Sequence, residues 1–538
     1  MRQAILLHLF LGVSAYLTCV SLVTAEDPYV YINWVVEYGE AAPLGVDQRV
    51  ILVNGQFPGP TVNVVTNDNV IVQVENKLDE PMLITWNGVK QRKMSWQDGV
   101  LGTNCPIPAK TNWTYRMQMK DQIGTYNYFL STLMHRAAGG YGGLNILARS
   151  IIPVPYPKPF EEITVLVSDW WKKDHKELQA ILDAGKPFPL PDGMLINGKQ
   201  STVFDVVPGQ TYLFRVSNIG ISTSINFRIQ GHTMHLVECE GSHTEQEAYE
   251  SLDLHVGQSS SLLVTINGGN PRDYFMVAST RFTKPILTTT ATLHSQGSTR
   301  PASAQLPIGP TYHIHWSMKQ ARTIRWNLTA NAARPNPQGS YHYGTIPVTR
   351  TVILENSATK IDGKTRYAVN KISYKNPETP LKLADYFNIP DVFTVGSIQD
   401  SPPAGPAELG TSVLGTALHD FVEIVFQNTE STVQSWHLDG SDFWTVGFGS
   451  GRWNTTLRRR FYNLHDAPTR HTVQVYPYSW SAILVSLDNK GMWNLRSANW
   501  ARRYLGQELY VRVWNDEKSP YTETDIPPNA LLCGLAKP

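Results

Sequence analysis

Two histidine pairs are the first residues of this chain whose type and spacing suggest chemistry. His313 and His315 alternate in TYHIHW and would share one face of a strand, while His232 and His235 lie close together in GHTMHLVE. Imidazole is a common ligand of zinc and copper, but such a site needs three or four ligands. Neither pair has a third ligand nearby in the sequence, so ordinary strand or loop positions explain both pairs better than a metal centre does.

Motifs of several other chemistries are absent from the sequence. There is no G-x-S-x-G nucleophile turn, no H-E-x-x-H zinc motif, no C-x-x-C and no phosphate-binding loop. The glycines of GGYGGL, residues 139–144, lack the strand-to-helix context of a dinucleotide site and indicate a tight turn. His465 and His471 flank a loop and have no partner that the sequence reveals. No carboxylate pair stands out, so a polysaccharide-modifying enzyme stays open as a minor alternative.

The elements that must position any site are mostly strands. The 538 residues are 42% hydrophobic and 17% charged, which is typical of globular domains, and the length suggests about three of them. Three blocks share an entry strand, a turn and a further strand, the third less regularly: RVILVNGQFPGPTVNVVTNDNVIVQVENKL, GMLINGKQSTVFDVVPGQTYLFRVSNIG and FVEIVFQNTESTVQSWHLDGSDFWTVG. This repetition predicts an all-β fold of repeated sandwich units. Linkers are predicted near 151–160 and 295–310, and a helix within 172–185.

The N-terminal segment predicts secretion. Residues 1–25 combine Arg2, an apolar stretch and small residues up to Ala25, as in a cleaved signal peptide; a retained membrane anchor is the alternative. Without them the chain has 45 basic and 45 acidic side chains, and this neutrality gives no electrostatic basis for binding nucleic acid. No later segment predicts a membrane span, and the C-terminus lacks the tail of a glycolipid-anchor signal. N-glycosylation is predicted at the three sequons of Asn112, Asn327 and Asn454.

Five motifs carry a family resemblance: NGQFPGPT (54–61), TWNGVKQ with SWQDG (85–99), GTYNYFLSTLMHRAAGGYGGL (124–144), SWHLDGSDFWTVG (435–447) and GMWNLRSANW (491–500). With them the chain resembles the plant ascorbate oxidases and laccases, the three-domain multicopper oxidases, and most closely the skewed-growth and pollen-specific ascorbate-oxidase-like subfamily. The resemblance covers essentially the whole mature chain. It implies secretion to the apoplast and cell wall, a role in polarised growth of pollen tube or root, and three cupredoxin-like Greek-key β-sandwich domains at residues 26–150, 151–300 and, with a linker, 301–538.

Three cysteines remain once Cys19 leaves with the signal peptide. In an oxidising compartment this odd number leaves either one bridge and one free thiol or no bridge. The resemblance implies a disulfide between Cys105 and Cys533, which joins the first domain to the third. Cys239, in HLVECEG, is then expected to be a buried free thiol rather than a reactive one.

The resemblance also places the copper ligands on positions of this chain. The family uses imidazoles, and its blue copper site adds a cysteine thiolate and a weak axial group. The eleven ligand positions, followed by the axial position, fall on Thr85, Asn87, Phe129, Ser131, Gln434, His437, Asp439, Arg496, Ser497, Ala498, Arg502 and Gln507. Only His437 keeps a ligand type of the family. The resemblance therefore predicts the fold but not the oxidase activity, and we expect neither bound copper nor another cofactor.

Asp439 and Arg496 are expected to fill part of the copper position. The resemblance places Ser131, Asp439 and Arg496 around one copper of the cluster, and we expect a buried Asp439–Arg496 ion pair with Ser131 as a hydrogen-bond partner. The alternative is that Arg496 turns to solvent. His437 is expected to be a hydrogen-bonded remnant of the site, with adventitious metal binding by His437 and Asp439 as the alternative.

Binding rather than redox chemistry is the expected function. We expect a secreted multicopper-oxidase-like glycoprotein of the cell wall whose partner is an acidic wall polysaccharide; an oxidoreductase with residual copper, acting on ascorbate or phenolics, is the alternative. Tryptophan stacks on sugars and arginine binds carboxylates. Both types are frequent in the third domain, at Trp444, Trp453, Trp493, Trp500, Arg452, Arg496, Arg502 and Arg503. The alternative for these tryptophans is the protein core.

Overall fold

The computed structural model describes residues 27–328, 342–517 and 519–537. The described chain is built mainly of β-strands, which form six sheets that occur in pairs along the sequence. Each pair of sheets encloses its own apolar core, so the prediction of an all-β fold made of repeated sandwiches is confirmed. The predicted signal peptide, residues 1–25, and Cys19 lie outside the described residues.

The first sandwich has two four-stranded sheets, in the orders β2-β1-β4-β6 and β3-β8-β7-β5. Its strands are β1 (Tyr29–Ala41), β2 (Gln48–Val53), β3 (Val62–Val65), β4 (Asn69–Asn76), β5 (Ile84–Asn87), β6 (Asn112–Gln118), β7 (Gly124–Leu130) and β8 (Tyr141–Leu147). In β4 every second side chain, Val70, Val72 and Val74, is buried, as the alternating sequence NVIVQVEN predicts. β1 lies parallel to β4, so sheet neighbours are not always chain neighbours.

The second sandwich pairs a seven-stranded sheet with a five-stranded one. Its strands are β9 (Glu161–Trp170), β10 (Gly193–Ile196), β11 (Ser201–Val206), β12 (Thr211–Asn218), β13 (Ile225–Ile229), β14 (Met234–Cys239), β15 (Ser242–His243), β16 (Ala248–Tyr249), β17 (Leu252–Leu254), β18 (Ser259–Thr265), β19 (Tyr274–Thr280) and β20 (Thr288–Ser295). The larger sheet has the order β10-β9-β12-β18-β14-β15, with β16 beside β14, and the smaller has the order β11-β20-β19-β13-β17.

The third sandwich pairs an eight-stranded sheet with a five-stranded one. Its strands are β21 (Arg350–Ile361), β22 (Lys364–Val369), β23 (Ile372–Tyr374), β24 (Glu408–Gly410), β25 (Val413–Ala417), β26 (Phe421–Gln427), β27 (Gln434–Leu438), β28 (Phe443–Ser450), β29 (Thr469–Arg470), β30 (Thr472–Val475), β31 (Ser479–Ser486), β32 (Gly491–Ser497) and β33 (Glu508–Trp514). The sheet orders are β24-β23-β22-β21-β26-β31-β28-β29 and β25-β33-β32-β27-β30.

Five short α-helices occur among the described residues: α1 (His175–Asp183), α2 (Ile314–Thr323), α3 (Leu381–Phe387), α4 (Thr455–Phe461) and α5 (Trp500–Tyr504). α1 confirms the helix predicted within 172–185. α2 begins directly after His313 and includes His315, so these two histidines do not alternate on a strand; residues two apart on a helix point to nearly opposite sides. In the described part of the chain, no helix is long and apolar enough to cross a lipid bilayer.

The C-terminal segment, residues 519–537, returns from the third sandwich to the first. Trp113 Nε1 donates a hydrogen bond to the carbonyl oxygen of Asn529 at 2.6 Å. Close by, Cys105 and Cys533 form a disulfide across 428 residues, which confirms the bridge that the resemblance implied. Cys239 is a buried free thiol on β14, as expected.

Candidate functional site

The predicted copper positions come together through strand pairing within the first and third sandwiches. β5 pairs with β7, which places Thr85 opposite Phe129, and β27 pairs with β32, which places His437 opposite Arg496. These strands meet where the two sandwiches join. The positions at this boundary form the first cluster: Thr85, Asn87, Phe129, Ser131, His437, Asp439 and Arg496. The positions that would hold blue copper form the second cluster: Gln434, Ser497, Arg502 and Gln507.

A buried ion pair lies at the centre of the first cluster. Arg496 Nη1 donates to Asp439 Oδ2, and the two side chains are 1% and 3% exposed. Arg496 also donates to Asn494 Oδ1 at 3.2 Å and to Asn87 Oδ1 at 3.3 Å. The predicted pair is confirmed, and the alternative of an Arg496 turned to solvent is wrong. The burial of a guanidinium is tolerated here because a carboxylate matches its charge and amide oxygens accept its other N–H groups.

His437 is a neutral imidazole held by two hydrogen bonds. Its Nε2 lies 2.9 Å from Asp439 Oδ1, and its Nδ1 lies 2.8 Å from Thr472 Oγ1. Burial, reinforced by the positive charge of Arg496, lowers the pKa of His437 to about 3. The contact with Asp439 is therefore a hydrogen bond from Nε2–H to a carboxylate rather than an ion pair. Burial alone would raise the pKa of Asp439, but Arg496 and His437 outweigh it and hold this pKa below its ordinary value.

Asp98 belongs to the same pocket, although the sequence pattern marked it only as part of the SWQDG motif. It is buried beside Asp439 and Arg496. Burial, followed by the negative charge of Asp439, raises the pKa of Asp98 well above its ordinary value. Two buried carboxyl groups beside one guanidinium ionise together only at high cost, so Asp439 carries the charge and Asp98 keeps its proton.

His471 also joins the first cluster. Its Nδ1 lies 3.3 Å from His437 Nδ1, 3.1 Å from Thr472 Oγ1 and 3.4 Å from Glu240 Oε2. The expectation that His471 has no partner is therefore wrong. Its partners come from β27 and from the end of β14 in the second sandwich, and no local pattern in the sequence announces those contacts.

Ser131 does not contact the ion pair in the way predicted. Its hydroxyl donates to the carbonyl oxygen of Gly99 rather than serving Arg496, whose N–H groups are taken by Asp439 and two asparagine amides. The carbonyl oxygen of Ser131 instead accepts from Arg503 Nη1 at 2.8 Å, which links the first sandwich to the third.

Three further ligand positions carry side chains without strong metal donors. Phe129 lies beneath the guanidinium of Arg136, whose Cζ is 4.2 Å from the ring centre. Thr85 is fully buried, and its hydroxyl has no hydrogen-bond partner among the described residues. Ala498 is buried directly after β32, and its backbone N–H donates to the carbonyl oxygen of Ser435. These positions pack and link strands.

The second cluster is a closed network of hydrogen bonds. Gln507 Nε2 donates to Gln434 Oε1 at 3.1 Å, and Gln434 Nε2 donates to Glu430 Oε2 at 3.0 Å. Arg502 completes the ring with an ion pair to Glu430 Oε2 at 2.6 Å and a hydrogen bond to Gln507 Oε1 at 3.4 Å. Ser497, at the position of the expected thiolate, is buried, and its hydroxyl has no partner within the described ranges.

The tryptophans expected to stack on sugars are mostly core residues. Trp444, Trp493 and Trp500 are at most 1% exposed, and Trp453 is half-buried. For Trp444, Trp493 and Trp500 the sugar-binding expectation is wrong and the core alternative is confirmed, whereas Trp453 only packs against the edge of the core. Sequence composition could not separate the two cases, because both use large aromatic side chains.

A cavity of about 310 Å³ lies beside the second cluster, between the second and third sandwiches. Arg502 stacks 4.2 Å from the ring centre of Tyr367 at its wall. Residues that line it include Ser222, Thr223, Ser224, Phe282, Tyr367 and Arg502. Hydroxyl groups beside aromatic rings suit a polar organic ligand.

The remaining predicted positions have simple roles. His232 Nδ1 lies 2.7 Å from the carbonyl oxygen of Gln230, and its Nε2 accepts from the backbone N–H of Asn267, so both nitrogens serve the fold. Of the three sequon asparagines, Asn112 and Asn454 are exposed and Asn327 is partly exposed.

Comparisons with known proteins agree with this architecture. Multicopper oxidase family models match residues 35–150, 161–298 and 378–519. An L-ascorbate oxidase homolog from Brassica napus is 53% identical, with 100% of this chain and 98% of the relative covered. The monocopper oxidase-like protein SKU5 of Arabidopsis thaliana is 49% identical, with 96% and 91% covered. The L-ascorbate oxidase of Cucumis sativus is 29% identical, with 94% and 91% covered.

Solved structures share the fold at lower identity. Fet3p, a multicopper oxidase that functions in iron import, superposes with a TM-score of 0.75 at 19% identity, with 90% of each chain covered. A laccase from Botrytis aclada gives 0.75 at 20% identity, with 91% of this chain and 89% of the laccase covered. The three sandwiches are thus cupredoxin-like. With family matches in all three and a relative more than half identical along the whole chain, this protein belongs to the multicopper oxidase family.

Proposed function

We propose that this protein is a secreted, glycosylated multicopper-oxidase-like protein that carries no redox copper and acts by binding a cell-wall polysaccharide during polarised plant cell growth. The observation that carries the proposal is the buried Asp439–Arg496 ion pair at a position where the family resemblance places copper ligands. The growth role and the cell wall come from the resemblance to the skewed-growth and pollen-specific subfamily.

The side chains of the first cluster do not fit copper. Copper sites in proteins use imidazole, thiolate or thioether donors, whereas Arg496 brings a permanent positive charge and Phe129 brings no donor. Both nitrogens of His437 already have hydrogen-bond partners. A cation placed here would have to displace a guanidinium from its carboxylate, so no redox step is assigned to this cluster.

The second cluster does not fit blue copper either. A blue site requires a cysteine thiolate, and Ser497 offers a hydroxyl in its place. The free thiol of the described chain, Cys239, lies on β14 of the second sandwich, where Arg470 is 3.4 Å from its sulfur. Burial raises the pKa of Cys239, which favours the uncharged thiol. Arg502 and the two glutamines fill the second cluster with hydrogen bonds instead.

The cavity beside the second cluster is the proposed ligand site. Its volume lies at the lower end of the range for small-ligand pockets, which suits one or two sugar units of a longer chain. The arginines on its wall are already paired, Arg502 with Glu430 and Arg281 with Asp253 at 2.9 Å. The acidic character expected of the ligand therefore loses support, and recognition through sugar hydroxyls, with Tyr367 as a contact at the wall, fits better.

Copper analysis tests the absence of redox chemistry. The secreted protein, purified without added metal, should contain well below one equivalent of copper, show no blue absorption band and leave ascorbate and phenolics unoxidised. Cucumis sativus L-ascorbate oxidase, prepared in the same way, is the positive control. Stoichiometric copper would overturn the proposal, and loss of that copper in the Asp439→Ala variant would place it at the first cluster.

Wall-fragment binding tests the positive half of the proposal. Neutral and acidic wall oligosaccharides should bind the wild-type protein, and Tyr367→Ala should weaken binding at least tenfold. Tyr31→Ala, which changes an exposed tyrosine of β1, should leave binding unchanged. Equal binding by both variants would exclude the cavity, and a change in fragment mass after incubation would point to polysaccharide modification instead.

A single-copper oxidase is the second candidate function. Two observations favour it: the Nδ1 atoms of His437 and His471 lie 3.3 Å apart, and the Arabidopsis relative is named monocopper oxidase-like. One bound copper that is lost in both His437→Ala and His471→Ala, together with oxidase activity, would establish it.

A further inference from the structure

Three metal-ligating side chains converge where the first and second sandwiches meet. The ligand atoms of Glu80, His135 and His175 lie within 4.8 Å of one another. His135 Nε2 is 3.4 Å and His175 Nε2 is 3.8 Å from Glu80 Oε1. Ligand atoms about 2.1 Å from a tetrahedral zinc ion stand roughly 3.4 Å apart, so these atoms are almost in place. We propose that Glu80, His135 and His175 form a zinc-binding site, a role that none of the predicted copper positions shares.

His135 is oriented as a metal ligand would be. It is fully buried in the first sandwich, and its Nδ1 lies 2.9 Å from Thr132 Oγ1. In the tautomer whose Nδ1–H donates to Thr132, the Nε2 lone pair faces Glu80, as a bound metal ion would require. Nε2 makes no hydrogen bond of good geometry with any described residue. A buried imidazole nitrogen without such a bond requires a ligand or another explanation.

His175 approaches from the second sandwich, where it is the first residue of α1. Its Nδ1 lies 3.3 Å from Asp174 Oδ1, a carboxylate that also caps the helix by accepting from the N–H of Lys176. This contact lacks hydrogen-bond geometry, so Asp174 lies beside the imidazole without fixing its tautomer. The other ring nitrogen, Nε2, faces Glu80 and the hydroxyl of Tyr38.

Glu80 supplies the negative charge, and Tyr38 closes the site. The hydroxyl of Tyr38 donates to Glu80 Oε1 and lies 3.2 Å from His175 Nε2. The fourth ligand of a tetrahedral zinc ion would then be a water molecule or the oxygen of Tyr38. Two imidazoles and one carboxylate are a donor set that zinc accepts.

Lys176 competes for the same carboxylate. Its ammonium lies 3.2 Å from Glu80 Oε1, where it neutralises the charge that a zinc ion would use. The side chain is 41% exposed, so the ammonium can move into solvent when the metal arrives. The geometry thus contains both a binding site and its competitor, and removal of the competitor should strengthen binding.

The test is a zinc titration of the purified full-length secreted protein against a competing chelating dye. The wild type should bind one zinc equivalent, Glu80→Gln and His175→Asn should each weaken binding at least tenfold, and Lys176→Met should tighten it. The control is His294→Asn, which changes a histidine of β20 that is paired with Asp273. This substitution should leave the zinc affinity unchanged. Cobalt in place of zinc should give the visible bands of a tetrahedral site, and Glu80→Gln should abolish them.

Three results would overturn the proposal. These are zinc binding that survives in both Glu80→Gln and His175→Asn, no zinc uptake by the wild type and Lys176→Met alike, or equal affinity in the wild type and Lys176→Met. The last comparison holds even if the ligand variants fail to fold, because Lys176 is partly exposed and contributes little to packing. The outcome is independent of polysaccharide binding, since the two sites share no residue.

Discussion

Removal of the charges of the Asp439–Arg496 pair one at a time should destabilise the protein strongly. In Arg496→Met the carboxylate of Asp439 stays buried without its cation, and in Asp439→Asn the guanidinium stays buried without its anion. Breaking a buried pair on one side costs about 3–5 kcal/mol. Asp439→Asn should fall at the lower end of that range, because Asp98 can lose its proton and become the new counter-ion of Arg496.

Two further variants separate the ion pair from its surroundings. The double variant Asp439→Leu with Arg496→Met removes both charges, and it should lie within roughly 2 kcal/mol of wild type, because an apolar replacement avoids the desolvation of two ions. Asp98→Asn changes a carboxyl group of the same pocket that already holds its proton, so it should cost less than about 1 kcal/mol. Asp98→Asn is therefore the matched control for Asp439→Asn.

Differential scanning calorimetry measures these effects on the transition that includes the third sandwich. A change of 1 kcal/mol moves the melting temperature by about 2–4 °C for a domain of 150–250 residues, so each single charge variant should melt roughly 6–20 °C lower. Unchanged melting in both single variants would refute the reasoning. So would an Asp98→Asn variant as unstable as Asp439→Asn, or a double variant whose loss equals the sum of the two single losses.

Three other predictions concern pH, the disulfide and glycosylation. Burial lowers the pKa of His437 and of His255 to about 3. Below pH about 6.5 these two side chains therefore bind protons in the unfolded chain but not in the folded chain. As the pH falls from about 6.5 to about 3, each histidine should lower the free energy of unfolding by roughly 1.4 kcal/mol per pH unit. His255→Gln should reduce this dependence on pH, and an unchanged dependence would contradict the lowered pKa of His255. Reduction of the Cys105–Cys533 bridge should cost about 2–5 kcal/mol and expose the C-terminal segment to limited proteolysis, whereas an unaltered digest would show that packing alone holds it. Asn454 caps α4, so Asn454→Gln should cost about 1 kcal/mol in thermal unfolding, while enzymatic removal of the glycan should keep the cap and the stability.

Local pattern predicted most of the architecture. The period of two in β4 and the capped amphipathic run of α1 both depend on neighbouring residues, and both are present in the structure. The Asp439–Arg496 pair was also predictable, because fixed motifs placed both residues at one copper position and buried charges require matching. Such inferences succeed when spacing along the chain determines proximity in space.

Contacts set by packing between sandwiches were not predictable. His471 meets Glu240 from another sandwich, and no short-range signal links them. Asp98 stood in a known motif, but its raised pKa depends on burial beside Asp439, which the sequence does not give. Ser131 lies in the first cluster as predicted, but its hydrogen-bond partner is the carbonyl oxygen of Gly99 rather than the ion pair. A hydroxyl can donate to any nearby carbonyl oxygen, so the sequence does not identify the partner.

Side chains of the first cluster and of the neighbouring helix α5 join the first and third sandwiches. Arg496 reaches Asn87, Arg503 reaches the carbonyl oxygen of Ser131, and Trp500 Nε1 donates to the carbonyl oxygen of Leu133 at 2.8 Å. A buried ion pair adds little net stability over apolar residues, but it demands one geometry, since a misplaced guanidinium loses its acceptors. We therefore expect Arg496 to determine the relative position of the first and third sandwiches more than the free energy of unfolding.

The same double variant tests this role. Asp439→Leu with Arg496→Met should melt close to the wild type, yet amide hydrogens of β5 and of the loop after β7 should exchange faster, because the link to Asn87 is gone and the boundary opens locally. Strands far from this boundary, such as β11 and β20 of the second sandwich, provide the internal control and should exchange as in the wild type. Unchanged exchange at β5 in a stable double variant would show that apolar packing fixes the docking and that the ion pair merely fills space where the resemblance places copper.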